Sequence, residues 1–162
     1  MVIMDQFTRR IIGFSSHNGA LSGLDICRMF NQIVTNKSLP KHLSSDNDPL
    51  FNFHRWQANL RILDIKEIKT VPYTPISHPF VERLIGTIRR EFLDKTFFWN
   101  QHDLQNKLES FQRYYNDKRC HHSLEGMSPR QKAENKSSTV TSIDNYRWEK
   151  SCRGLFQLPI AA

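Results

Sequence analysis

Two carboxylates of this chain sit where an acid needs a reason. Asp46 follows Lys41 to Ser45, which reads as a strand, and opens the polar turn Asp46-Asn47-Asp48-Pro49. Glu82 falls in the first turn of a helix expected from about Pro79 to Asp94, with proline at the favoured start. Each has an ordinary explanation: aspartate readily opens an Asx turn, and a carboxylate near a helix N-terminus is favoured by the dipole. The helix geometry adds a second one. At 100° per residue, Val81, Ile85, Ile88 and Phe92 fall within about 60° and make the expected buried stripe. Glu82, Gly86 and Arg89 share the adjoining face, and a glycine there costs roughly 1 kcal/mol relative to alanine. Such a face could hold a metal beside Glu82, admit a phosphodiester over Gly86 and grip phosphate through Arg89.

The elements that must carry these groups follow from patterning. Val2-Ile3-Met4 and Ile11 to Phe14 read as a hairpin joined by polar Asp5 to Arg10. Ser22 and Asp25 make a capping box for a helix with Leu24, Cys27, Phe30 and Ile33 on one drifting face. Phe53, Trp56, Leu60 and Leu63 suggest a short amphipathic helix, and Ile65 to Val71 a half-exposed strand. Pro72 to Pro79 carries three prolines and is irregular. A further helix, capped by Asn100, presents Leu104, Leu108, Phe111 and Tyr115. From Asn135 to Ser142 the composition becomes that of a linker, and Tyr146-Trp148 with Leu155 to Ile160 flank Arg153-Gly154 as a small hairpin. The alternation of strands and helices indicates an α/β layer architecture with a mixed sheet, residues 1–134 forming the core and 135–162 a linker with a small β element.

Composition narrows the class. The chain has 162 residues, with 23 Lys+Arg against 16 Asp+Glu for a formal charge of +7, which favours a polyanionic partner. No apolar run approaches the ~20 residues that span a bilayer, and no signal peptide is evident. Cys27, Cys120 and Cys152 are odd in number and far apart, which fits a reduced, intracellular, cytoplasmic setting. Cys120-His121-His122 invites a zinc reading but lacks a fourth ligand at suitable spacing. Arg9-Arg10 and Lys118-Arg119 read as solvated turns, with DNA contact the alternative, while Trp56 and Phe111 read as core and Trp148 as packing for the terminal hairpin.

Ser45-Asp46-Asn47, then 35 intervening residues, then Glu82 within Val81-Glu82-Arg83-Leu84-Ile85-Gly86-Thr87-Ile88-Arg89-Arg90-Glu91 resembles the second and third acids of DDE transposases and retroviral-type integrases. Asp5 to Gly13 looks like that family's second-to-third strand hairpin. Tyr115-Asn116, Arg119, His121-His122-Ser123-Leu124 and Ser128-Pro129 look like the segment that closes the catalytic core of bacterial insertion-sequence transposases. The resemblance covers roughly residues 2–134.

It implies a ribonuclease-H-like mixed sheet flanked by helices, and an enzyme of DNA integration or transposition. Three acids in this family bind two divalent metals, Mg²⁺ or Mn²⁺, for in-line attack on a phosphodiester. Asp46 and Glu82 are then the catalytic metal ligands, and Arg83, Arg89, Arg90 and Arg119 the DNA contacts. The implied partners are transposon ends and target DNA, with a homo-oligomer as the working form. The chain also departs from the pattern. The family's first acid lies on a strand ahead of the opening hairpin; that strand is central in the sheet order 3-2-1-4-5, so this chain lacks one ligand and one internal strand. Asp5 matches the hairpin aspartate rather than that acid, and Asp48 stands where many relatives carry glycine. No helix-turn-helix module for end recognition precedes the matched segments. A non-catalytic DNA-binding remnant is the second reading, and a ribonuclease-H-type nuclease the third.

Overall fold

A computed structural model describes residues 1–69, 79–135 and 146–161. Strand β1 (Val2–Met4) pairs antiparallel with β2 (Ile11–Phe14), helix α1 (Gly23–Val34) follows, and β3 (His42–Ser45) leads through a 3-10 turn (Pro49–Asn52) into α2 (His54–Ile62). Strand β4 (Lys66–Lys69) lies parallel to β3, with Ser45 opposite Lys69. Then come α3 (Pro79–Glu91), the long α4 (Gln101–Asp117), the short α5 (Pro129–Ala133) and a terminal hairpin of β5 (Tyr146–Ser151) and β6 (Phe156–Ala161). The expectations for Pro72 to His78 and for the linker after Asn135 lie outside the described residues. So does the tail of the fourth strand beyond Lys69.

The local reasons are legible. Asp5 organises the first turn by accepting from the backbone N–H groups of Phe7 and Thr8 and from the Thr8 hydroxyl. It is a turn residue. Ser22 and Asp25 form the expected capping box on α1, and the Asn100 side chain caps α4 by accepting from the Asp103 N–H at 2.9 Å.

Two apolar layers sandwich β1. Val2 and Met4 point to a cluster built from Ile11, Leu84, Ile88, Phe92, Leu108, Phe111, Tyr114 and Tyr115, under α3 and α4. Met1 and Ile3 point the other way, into Ile26, Phe30, Trp56, Leu60 and Ile65 under α1 and α2. This is the period-2 alternation of a strand buried on both faces. Each fully buried Phe, Leu or Ile in these layers contributes roughly 1.5–3 kcal/mol. Gly13 on β2 is required by the close approach of α1, because a Cβ there would stand 2.7 Å from Ile33 Cγ2.

Among the described residues the strands form three two-stranded sheets, β1–β2, β3–β4 and β5–β6.

Four expectations need correction. The buried stripe of α3 is Leu84, Thr87 and Ile88, continuing to Phe92, while Ile85 is 43% exposed. The stripe's centre is shifted because α3 faces β2 and α4 together, and that seam selects Leu84 over Val81. In β4 the inward side chains are Ile65, just before the strand, and Glu67; Ile68 is 49% exposed. Trp148 is 70% exposed, and the hairpin is held instead by Phe156, whose ring stacks on Tyr114 at 4.0 Å. Arg9 and Lys118 are not merely solvated: Arg9 lies over the Phe80 ring, and Lys118 pairs with Glu149.

Candidate active site

Asp46 emerges where β3 ends. Its side chain is exposed, and Oδ1 accepts from the Asp48 N–H at 3.1 Å, closing an Asx turn. Asp48 in turn accepts from the Leu50 N–H at 2.8 Å and starts the 3-10 turn, so an aspartate serves where a glycine was expected. The parallel register sets the end of β4 level with the end of β3. Asp46 therefore projects from the edge at which both strands finish.

Directly behind it is a group the sequence reading passed over. Glu67, half-buried on β4, accepts through Oε1 from the Ser45 hydroxyl (2.6 Å) and Trp56 Nε1–H (2.9 Å), and through Oε2 from Gln57 Nε2–H (2.6 Å). Burial pushes its pKa up, but the three hydrogen bonds and nearby Lys69 outweigh this and hold it below the ordinary glutamate value. The signal available in sequence was its position: two residues after the buried Ile65, on the inward face of a strand.

Glu82 lies in the first turn of α3 and is exposed, as are Arg83, Arg89 and Arg90. Glu82, Gly86 and Arg90 follow at i, i+4 and i+8, so they fall along one side of the helix. The space over Gly86 holds the protein's own cation: a Cβ there would stand 3.0 Å from Arg90 Nη1. The opening first read as an approach for phosphodiester is thus filled by a guanidinium lying back along its helix. Among the described residues no three His, Cys, Asp or Glu side chains cluster as a metal site.

Arg119 is committed within the fold. Its Nε and Nη2 donate to the two oxygens of Glu91 at 3.1 and 2.8 Å, tying the end of α4 to the end of α3. That carboxylate raises the guanidinium pKa. Around it the Tyr115-to-Pro129 segment explains itself structurally. Tyr115 meets the His121 ring edge-on at 4.8 Å, Leu124 is buried, and Ser128 with Gln131 makes a capping box for α5. His121 is held neutral, its pKa pushed down to about 4 by burial and by the neighbouring cations Arg119 and Arg9, against the opposing pull of Glu91. Cys120 beside it is exposed.

Asn116 occupies a different role: its Oδ1 accepts from the Ile11 N–H at 2.8 Å and its Nδ2 donates to the Ile11 carbonyl at 2.9 Å. Gln112 donates to the carbonyls of Ile11 and Ile12, Gln105 to that of Phe14 and Gln101 to that of Ser16. One side of α4 thus satisfies the outer edge of β2 with amide side chains.

Comparison with known proteins places this arrangement. Residues 63–129 match the integrase core domain family. Over 135 residues the chain is 26% identical to an uncharacterized 39.2 kDa protein of insertion element IS476 from Xanthomonas euvesicatoria, covering 83% of this chain and 39% of that protein. The chain therefore spans well under half the length of that relative. Among solved structures it resembles the catalytic core domain of BIV integrase, with a TM-score of 0.63 and 21% identity over 83% of this chain and 84% of that one. It also resembles a chain of the simian T-cell lymphotropic virus intasome in complex with PP2A regulatory subunit B56 gamma, with a TM-score of 0.67 and 18% identity over 98% of this chain and 60% of that one. A third likeness is to the HTLV-2 integrase catalytic core domain in complex with magnesium, in a trimeric form, with a TM-score of 0.59 and 21% identity over 80% of each chain. The fold is the ribonuclease-H-like fold of integrase catalytic cores.

Proposed function

We propose that this chain, whose residues 63–129 match the integrase core domain family and whose fold is that of integrase cores, provides the catalytic core for DNA integration or transposition. What supports the reading is placement. Asp46 directly follows the parallel β3–β4 pair and Glu82 lies in the first turn of α3, both exposed, both with hard oxygen donors of the kind Mg²⁺ and Mn²⁺ take. In this reading Asp46 and Glu82 are the residues that would hold divalent metal. The metal would supply charge neutralisation and a more acidic attacking water or 3′-hydroxyl. In the same reading Arg83, Arg89 and Arg90 are the contacts to DNA phosphates. Arg119 acts behind them, through its fork to Glu91, by fixing α3 against α4. The partner is DNA, inside the cell, and the working form is a homo-oligomer. No described helix is long and apolar enough to cross a membrane.

Two carboxylates balance two of the four charges of a metal pair, so the complete site needs a third acid. The reading places it on a strand between β1 and β3. Nicking and strand transfer on plasmid DNA, with Mg²⁺ and with Mn²⁺, test this. The 162-residue chain should be nearly inactive, and one extended by an upstream strand bearing an aspartate should be active, with Glu82→Gln abolishing that activity. Robust activity of the shorter chain would refute the need for the strand. A folded, DNA-binding but inert extended chain would favour the non-catalytic remnant, and cleavage confined to RNA–DNA hybrids the nuclease.

A further inference from the structure

We infer that Glu67 is the positioning residue for Asp46. The inference rests on the proposed metal-binding role of Asp46 and names what holds that residue in place.

The loop that carries Asp46 is anchored on both sides, and both anchors lead to one carboxylate. Upstream, Ser45 is 7% exposed and donates its hydroxyl to Glu67 Oε1. Downstream, Gln57 Nε2 donates to Glu67 Oε2 and also to the Phe51 carbonyl at 3.2 Å, within the 3-10 turn that ends the loop. Lys69, next but one to Glu67, reaches the same turn through Asn52 Oδ1. Trp56, 1% exposed, closes the arrangement by donating its indole N–H to Oε1.

Glu67 is thereby unsuited to be a ligand itself, because both oxygens are already accepting from inward-facing donors. It is suited to hold one. With Ser45 drawn inward against α2, the next residue is left at the exposed edge. Its remaining freedom is limited by the Asx turn to Asp48 and by the anchored 3-10 turn beyond. An exposed carboxylate on a free loop would lose conformational entropy on gathering a cation, and a pre-set one loses less. The network spans β3, β4, α2 and the 3-10 turn, so hydrophobic packing of Trp56 alone would not reproduce it. An apolar residue at position 67 would pack as well but leave the buried Ser45 hydroxyl and Trp56 indole N–H without that acceptor.

The test uses the whole chain, ¹⁵N-labelled, with MnCl₂ as the probe. Amide hydrogen exchange of residues 45–48 reads positioning without metal, and Mn²⁺ broadening of the Asp46 amide reads affinity. Glu67→Gln and Ser45→Ala should both speed exchange at Asp46 and Asp48 several-fold and weaken Mn²⁺ by about three- to tenfold. Ser45→Ala should leave the Trp56 indole resonance in place, separating the link to Asp46 from general stability. Trp56→Phe, which keeps Ser45 bonded to Glu67, should lower the melting temperature with little change in exchange at Asp46. Unchanged exchange and Mn²⁺ affinity in folded Glu67→Gln and Ser45→Ala would overturn the inference. Absence of Mn²⁺ broadening at Asp46 in the parent chain would instead remove the metal-binding role. The exchange comparison then decides the positioning by itself: faster in both variants supports it, and unchanged overturns it.

Discussion

Asn116 answers both backbone groups of Ile11 with one side chain, accepting from its N–H and donating to its carbonyl 105 residues earlier in the chain. The amide stands in for a neighbouring strand on the open side of β2. Ile11 is fully buried and Asn116 is 7% exposed, so neither group has water to fall back on. Asn116→Ala should cost about 1–3 kcal/mol, since it orphans the buried Ile11 N–H while Gln112 still donates to the carbonyl. Asn116→Asp should fare little better, because its carboxylate opposes the Ile11 carbonyl. Urea unfolding of the two variants measures this, and a loss below about 0.5 kcal/mol in both would discount the bonds.

His121 gives the fold a pH dependence of defined sign. Its folded pKa is about 4, below the ordinary 6.5, so the unfolded chain takes up a proton at a higher pH than the folded one. Its contribution is complete above about pH 6.5 and declines as pH falls toward 4. Glu67, also lowered, acts in the same direction further down, from about 4.5 through its folded value. The urea midpoint should therefore drop between pH 7 and pH 5, and His121→Asn should flatten that drop. An equal drop in the variant would assign the effect elsewhere.

DNA affinity should be largely sequence-independent, with a log–log salt slope near −0.9 per phosphate neutralised. Replacing Arg89 and Arg90 together by alanine should flatten the slope by roughly one to two units. Arg119→Lys, which loses the fork to Glu91, should cost about 1 kcal/mol of stability and leave the slope alone. Fluorescence anisotropy across a salt series checks both. A slope that moves with Arg119 and not with the α3 pair would reverse their roles.

The proposed convergence of Asp46 and Glu82 has its own signature. One MnCl₂ titration should broaden the amides of Asp46, Asn47 and Glu82 together, and Asp46→Asn should spare Glu82 as well as itself. Broadening of the two regions at clearly different concentrations would separate them into unrelated sites.

The opening hairpin, the capping box of α1, the Asn100 cap of α4 and the terminal hairpin could be read in advance because each depends on residues close together in sequence. Ser22 with Asp25 and Asn100 with Asp103 are such pairs. What escaped were choices made by distant partners. Periodicity in α3 admits a stripe through Val81 and Ile85 or one through Leu84 and Ile88, and the facing surface of α4 and β2 selects the latter. Glu67 was passed over within a half-exposed strand, since its three donors come from β3 and α2. The Tyr115-to-Pro129 pattern lies within the stretch that matches the integrase core domain family, but it concealed that Arg119, Asn116 and His121 secure the core. In the candidate site, Asp46 and Glu82 were visible from residue type and spacing; the hydrogen bonds behind them were not.

The seam between α4 and β2 is made from uncharged amides, and this separates two responses that basic proteins often couple. Counterions compete with guanidinium–phosphate contacts but not with glutamine and asparagine bonded to backbone carbonyls. If the arginines of α3 hold nucleic acid as proposed, raising ionic strength should strip it from them while α4 stays fastened to the strand. Concentrated salt becomes a wash that yields clean, intact protein, and a chain purified this way should rebind on dilution without a refolding step.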